Sequence, residues 1–160
     1  MVLSRDYLSS GNWTTDPSTG KQYLVMDLHG SLSHDRYRDL CAKQGGKLPE
    51  PRNEEENNFL VSLDLDMFVL GINDKKVEGR WVYDSDSSPL TWFYWFNGTR
   101  NQFNYRWYEK TNLNCVMMVR TLPGSLVLST WSIYRCESKM FDVFSKQLVC
   151  ERQGLQGNII

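Results

Sequence analysis

The longest unbroken apolar block in the chain is Met67-Phe68-Val69-Leu70-Gly71-Ile72. A run this short reads as a strand buried on both faces or as a buried helical segment. Gly71 favours the strand, because glycine inside a run marks a close backbone approach. Asn73, Asp74 and Gly79 then supply turn chemistry, and Trp81-Val82-Tyr83 restarts an aromatic and β-branched pattern. The pattern predicts two neighbouring strands joined by a polar turn. Upstream, Lys21 to Asp27 predicts a first strand around Tyr23, Leu24 and Val25. The stretch Asp16-Pro17-Ser18-Thr19-Gly20 predicts a turn before it.

Helical spacing appears twice. Tyr37, Leu40 and Cys41 fall at i, i+3 and i+4, so they share one face of a helix over roughly 34–44. Ser33 stands at its N-cap and Gly45-Gly46 at its stop. A second helix begins after Asn53, with Glu54, Glu55 and Glu56 in the first turn and Phe59, Leu60 and Leu63 on the buried face. The three glutamates read as helix stabilisers and nothing more. Cys115-Val116-Met117-Met118-Val119 reads as a core strand, Leu122-Pro123-Gly124 as a turn, and Gln147 to Glu151 as a last strand. Helices early and strands later give an α+β domain. It is expected over residues 21–152, after an extension at 1–20 and before a loose tail at 153–160. Between Asp84 and Cys136 the periodicity fades, with a turn at 84–89, an aromatic cluster from Trp92 to Phe96 and a polar loop at 97–114. A loop of that length in a compact domain is usually functional.

Composition narrows the function. A length of 160 residues suits one domain with a full core. A net charge of −1 provides no field for nucleic acid or anionic membranes. No apolar run reaches membrane-spanning length, so no membrane insertion is expected. Aromatics at 13% exceed what a core alone needs and fit a recognition surface. The start, Met-Val-Leu-Ser-Arg-Asp, has no apolar leader core: either a leader has been removed or the protein is not secreted. The cysteines favour secretion. Cys41, Cys115, Cys136 and Cys150 are widely spaced with no C-x-x-C pair, which fits two disulfides in an oxidising compartment, and three pairings are open. Asn12-Trp13-Thr14 and Asn97-Gly98-Thr99 are glycosylation sequons, although such triplets also arise by chance.

The assembled motifs resemble the C-type lectin-like domain over about residues 21–151. Val69-Leu70-Gly71-Ile72 resembles that family's Trp-Ile-Gly-Leu strand, and Glu78-Gly79-Arg80-Trp81 its Glu-Gly-x-Trp turn. Ser88-Pro89-Leu90 and Trp95 resemble the beginning of its long loop. Asn114-Cys115-Val116-Met117, Trp131 through Cys136, and Val149-Cys150-Glu151 match its later strands. The resemblance implies the pairing Cys41 with Cys150 and Cys115 with Cys136, in the short form of the fold.

It also implies a place for Ca²⁺, and there the sequence departs. Sugar-binding members hold the ion with a Glu-Pro-Asn or Gln-Pro-Asp triplet and a Trp-Asn-Asp before the third cysteine. Here Thr99-Arg100-Asn101 stands at the triplet, and Trp131-Ser132-Ile133 at the second set. Asn101 alone is a plausible ligand, and Ile133 offers no oxygen. Glu109 is a candidate stand-in carboxylate. Glu50-Pro51-Arg52 is no substitute, because it precedes the second helix. The expectation is a dismantled principal Ca²⁺ site and no metal cofactor.

The ligand surface is then expected in the loop, at Thr99, Arg100, Asn101, Phe103, Tyr105, Arg106, Trp107 and Tyr108. Tyr, Trp and Arg are the residue types of binding hot spots. Arg100 and Arg106 could hold an acidic glycan without metal. The bland alternatives are aromatics folded back to pin the loop and solvated arginines. Asp84-x-Asp86 reads as turn chemistry rather than a metal pair, and His29 and His34 as surface or helix-start residues. No hydrolase, zinc-protease or phosphate-loop motif occurs. The expected function is an extracellular, non-enzymatic recognition domain for a protein partner. The alternative is a lectin that binds glycans, acidic ones among them, without the usual calcium. Monomer, homodimer and heterodimer are all open.

Overall fold

The computed structural model describes residues 12–28, 32–92, 113–121, 128–137 and 147–154. In chain order the elements are β1 (Thr14–Thr15), β2 (Gln22–Asp27), α1 (His34–Lys43), α2 (Glu54–Ser62), β3 (Met67–Asn73), β4 (Val82–Tyr83), β5 (Cys115–Thr121), β6 (Leu128–Tyr134) and β7 (Gln147–Arg152). They form an α+β domain with two antiparallel sheets, ordered β1-β2-β7 and β4-β3-β5-β6.

Strand β3 is the spine, as its apolar run predicts. Alternate side chains of a strand point to opposite faces. Met67 and Val69 enter a core with Leu24, Tyr37, Leu40 and Leu148, whereas Phe68, Leu70 and Ile72 enter a second core with Leu60, Val116, Trp131 and Val149. Both faces are therefore buried. Gly71 is required by close approach: a Cβ there would lie 3.1 Å from Glu50 Cγ and 3.2 Å from the Leu48 carbonyl oxygen. Its N–H donates to the Pro49 carbonyl at 2.8 Å. The predicted restart is β4, paired in register as Ile72↔Tyr83 and Asn73↔Val82.

Both helices form where expected. Asn53 Oδ1 accepts from the Glu56 N–H at 2.9 Å and caps α2. Ser33 holds the N-cap position of α1, but its side chain makes no capping bond. Phe59 and Leu63 are only half-buried, and Asn57 joins Leu60 on the inner face of α2. The disulfides are Cys41–Cys150 and Cys115–Cys136. The first closes 109 residues of sequence separation. In the chain-entropy account a loop of about 100 residues removes about 4–5 kcal/mol from the unfolded state's advantage.

Three further findings differ from expectation. Thr14 and Thr15 join the sheet as β1, pairing Thr14↔Tyr23 and Thr15↔Gln22, and the Arg152 guanidinium stacks on Trp13 at 4.1 Å, while Asp16 to Gly20 form the expected turn. Two threonines carry no apolar signal; backbone pairing orders them, with one side-chain bond from Gln22 Nε2 to Thr15 Oγ1 at 3.2 Å. Glu56 does more than stabilise its helix: it accepts from Lys21 Nζ at 3.0 Å and from the Arg52 N–H at 2.9 Å. His34 begins α1 as expected but is fully buried, not on the surface. Its Nδ1 meets the Tyr134 hydroxyl at 2.8 Å and its Nε2 meets Asp84 Oδ2 at 2.9 Å.

Candidate recognition site

The polar turn between β3 and β4 is built around Asp74. Its Oδ2 accepts from the Gly79 N–H at 2.8 Å, and Gly79 takes a positive φ of 84° that favours glycine. The Arg80 N–H donates to the Val77 carbonyl at 2.9 Å and tightens the same turn. Asp74 is 1% exposed, yet its Oδ1 has no hydrogen-bond partner. Burial raises its carboxyl to about 7; the Gly79 N–H opposes this, and the neighbouring Glu78 carboxylate adds to it.

The backbone N–H of Asp74 donates to the Asn114 carbonyl at 3.0 Å, one step beyond the ladder pair Asn73↔Cys115. Residues directly opposite on an antiparallel pair place their side chains on the same face. Asn114 Oδ1 is likewise buried without a partner. The end of the β3·β5 ladder thus gathers Asp74, Glu78 and Asn114, oxygen-bearing groups with two orphaned acceptors among them.

The turn also frames two clefts. One, of about 460 Å³, is lined by Val77, Arg80, Trp81 and Leu90 among others. The other, of about 250 Å³, is lined by Asn73, Lys76, Arg80 and Ser87 among others. Arg80 and Val77 belong to both.

The expected ligand residues Thr99, Arg100, Asn101, Phe103, Tyr105, Arg106, Trp107 and Tyr108 lie outside the described residues, as do Asn97, Glu109 and His29. Asn12 is described and exposed. Trp131, at the second expected ligand set, is fully buried and donates from Nε1 to Asn57 Oδ1 at 2.7 Å; Trp92 packs edge-on against it at 5.7 Å. Trp131 is therefore a pin between β6 and α2, with half-buried Ser132 and Ile133 beside it. Asp84 accepts from His34 and from Asn73. Burial pushes its carboxyl upward, but these hydrogen bonds and the charge interaction with His34 outweigh it and hold the group below its ordinary value. Asp86 accepts from Ser88, as turn chemistry predicts.

Calcium wants 6–8 oxygen ligands, several of them carboxylates. Among the described residues, no group of three or more His, Cys, Asp or Glu could hold a metal ion. Asp74, Glu78 and Asn114 have the right hard-oxygen chemistry, and the orphaned oxygens fit a cation better than Ile133 does. Sequence reasoning gave Asp74 to turn chemistry alone. The signal that could have found the trio is an acidic pair four residues apart on one turn, facing the asparagine that precedes a strand.

Residues 30–152 match the family described as Lectin C-type domain. The chain belongs to this family. It is 42% identical over 66 residues to a mannose-binding protein of Gallus gallus, covering 40% of this chain and 26% of that protein. It is 30% identical over 142 residues to a tetranectin-like protein of Carcharhinus perezii, covering 82% of this chain and 70% of that one. The chain thus spans about a quarter of the first relative. Among solved structures, a calcium-independent type II antifreeze protein superposes with a TM-score of 0.67 at 17% identity, covering 92% of this chain and 97% of that one. That likeness concerns the fold. The lectin relatives are non-enzymatic binding proteins, and C-type lectin domains bind glycans or proteins. No helix among the described residues is long and apolar enough to cross a membrane.

Proposed function

We propose that this C-type lectin domain is an extracellular, non-enzymatic recognition module that binds a protein partner through the segment Thr99 to Tyr108 without Ca²⁺ at the principal site. The observation that carries the reading is Ile133: a half-buried hydrocarbon side chain stands beside Trp131 on β6 where the resemblance implies a carboxylate. Thr99-Arg100-Asn101 supports it, because a hydroxyl and a cation replace the carboxylate and proline of the sugar-binding triplet. The aromatics Phe103, Tyr105, Trp107 and Tyr108 supply hot-spot chemistry. The test is a glycan array with and without EDTA. The protein-partner reading expects no specific glycan binding that depends on Arg100 or Arg106 in either condition; specific binding that survives EDTA and is lost in Arg100→Gln and Arg106→Gln returns the chain to the glycan alternative, with those two arginines as the anion contacts.

A second reading rests on the orphaned oxygens of Asp74 and Asn114. A hard cation held by Asp74, Glu78 and Asn114 would satisfy both and neutralise the paired carboxylates. Its contribution would be to fix the β3–β4 turn against the start of β5. Calcium titration by calorimetry, with a thermal melt in EDTA, separates the two. A ligand that binds only the native state raises its stability. Heat uptake with a calcium-dependent rise in Tm, abolished in Asp74→Asn, establishes the cation site; no heat and no shift dismisses it.

A further inference from the structure

The two clefts around the β3–β4 turn meet at Arg80, and their chemistry differs from that of the trio behind them. We infer that this two-lobed cleft is a calcium-independent binding site for an acidic glycan. Lys76 and Arg80 would hold its sulfate or carboxylate groups, and exposed Val77 would pack against a sugar ring, above the nearly buried Trp81 and Leu90.

Charge comes first. Lys75 is paired with Asp35 at 3.4 Å. Among the described residues, no carboxylate lies within ion-pair reach of Lys76 or Arg80, although both are exposed on the same turn. Arg52 and Arg120, by contrast, each engage carboxylates. Guanidinium and ammonium groups so placed can bind sulfate or carboxylate oxygens without a metal.

Shape and apolar surface come next. The larger lobe, at about 460 Å³, is the size of a small-ligand site, and the smaller adds about 250 Å³ beside it. Val77 is the only large apolar side chain exposed among the described residues, at 49%, and it lines both lobes. An exposed apolar group between two cations suits a sugar, which offers a hydrocarbon face and charged substituents together. The turn is held in place by the Asp74–Gly79 and Arg80–Val77 hydrogen bonds, so the backbone that carries the cations is already ordered and only their side chains are immobilised on binding.

An acidic peptide fits less well. Peptides that add to a sheet need an unpaired strand edge. The outer side of β4 is already occupied by the bridge Val82↔Pro89. Glu78 lines the larger lobe, but its carboxylate is drawn into the pair with Asp74.

The experiment is a calorimetric titration of the whole chain in EDTA. The probes are a sulfated heparin hexasaccharide, its desulfated counterpart, and hexaglutamate. The site depends neither on the segment 99–108 nor on a bound cation, so its failure leaves the preceding readings standing. The expected result is binding of the sulfated probe alone, weakened about tenfold by Arg80→Gln and about threefold by Lys76→Gln. Lys43→Gln, an exposed charge at the end of α1, changes it less than about twofold. An equal loss in Lys43→Gln would reduce the effect to net charge and overturn the site. So would hexaglutamate binding with the same dependence on Arg80, which would make the ligand a peptide. No binding of the sulfated probe overturns the inference outright. Unchanged melting of all three variants confirms that Arg80→Gln and Lys76→Gln lost binding rather than folding.

Discussion

Two sets of buried carboxylates in this domain are treated in opposite ways. Where β2, α2 and β7 meet, both oxygens of Glu50 and of Glu151 are engaged. Glu50 accepts from Lys47 at 3.1 Å, Arg52 at 3.0 Å and the Ser85 N–H at 2.8 Å. Glu151 accepts from Lys21 at 3.2 Å and the Glu50 N–H at 3.0 Å. At the β3–β4 turn, Asp74 is as deeply buried and keeps one oxygen unmatched, with a second carboxylate beside it. A buried charge is tolerated when it is paired and hydrogen-bonded, and is costly otherwise. The contrast separates a framework whose polar groups hold the elements together from a turn whose polar groups are available to a proton or a ligand.

Breaking the matched set has the largest expected effect. Glu50→Ala removes the buried acceptor shared by Lys47, Arg52 and the Ser85 N–H, leaving the two cations with their serine contacts and the Arg52–Asp86 pair, and lowers the free energy of unfolding by about 3 kcal/mol, read by urea denaturation. A smaller effect comes from acid. Asp84 has its folded value below its unfolded one, so its contribution is present above about pH 4 and is lost as the pH falls through the folded value. Asp84→Asn lowers stability at pH 7 and flattens the acid limb of a Tm–pH profile; an unchanged limb would show that the His34 contact contributes nothing. The smallest change has the opposite sign. Asp74 is raised in the folded state, so its stabilising contribution is complete below its unfolded value and disappears as the pH rises through about 7. Asp74→Asn therefore raises the free energy of unfolding at pH 8 in EDTA by about 1 kcal/mol, seen as a higher Tm, and does nothing or slightly harms at pH 4. A destabilised variant at pH 8 would place Asp74 with the matched set and erase the comparison.

Much of the framework was legible because its signals are local. The apolar run at 67–72 with its inner glycine, the Asn53 cap and the aromatic restart at 81–83 each announce their own structure within a few residues. The disulfide pairing came through the resemblance; four cysteines by themselves leave it open. What escaped was long-range or polar. Nothing near Thr14 says that a backbone edge of β2 awaits it. Nothing near His34 says that Tyr134 and Asp84 will close over it. Asp74 and Asn114 lie forty positions apart by number, and only the β3·β5 register brings them together. The expected ligand segment, with the aromatics and arginines on which the functional reading relies, lies outside the described residues, so the site that the structure does present is one that the sequence disclosed only as a turn.

The end of the β2·β7 pair has a mechanical consequence. Gly20 and Gly154 touch there: a Cβ on Gly154 would fall 2.0 Å from the Gly20 carbonyl oxygen. Tension applied at these two points loads β2 and β7 as a zipper, one pair at a time, beginning with Gln22↔Arg152 and Tyr23↔Glu151. The third pair, Leu24↔Cys150, contains the half-cystine bonded to Cys41. Peeling along β7 therefore meets a covalent stop after two rungs, and under load the remainder of that strand stays anchored to α1 while the disulfide is intact.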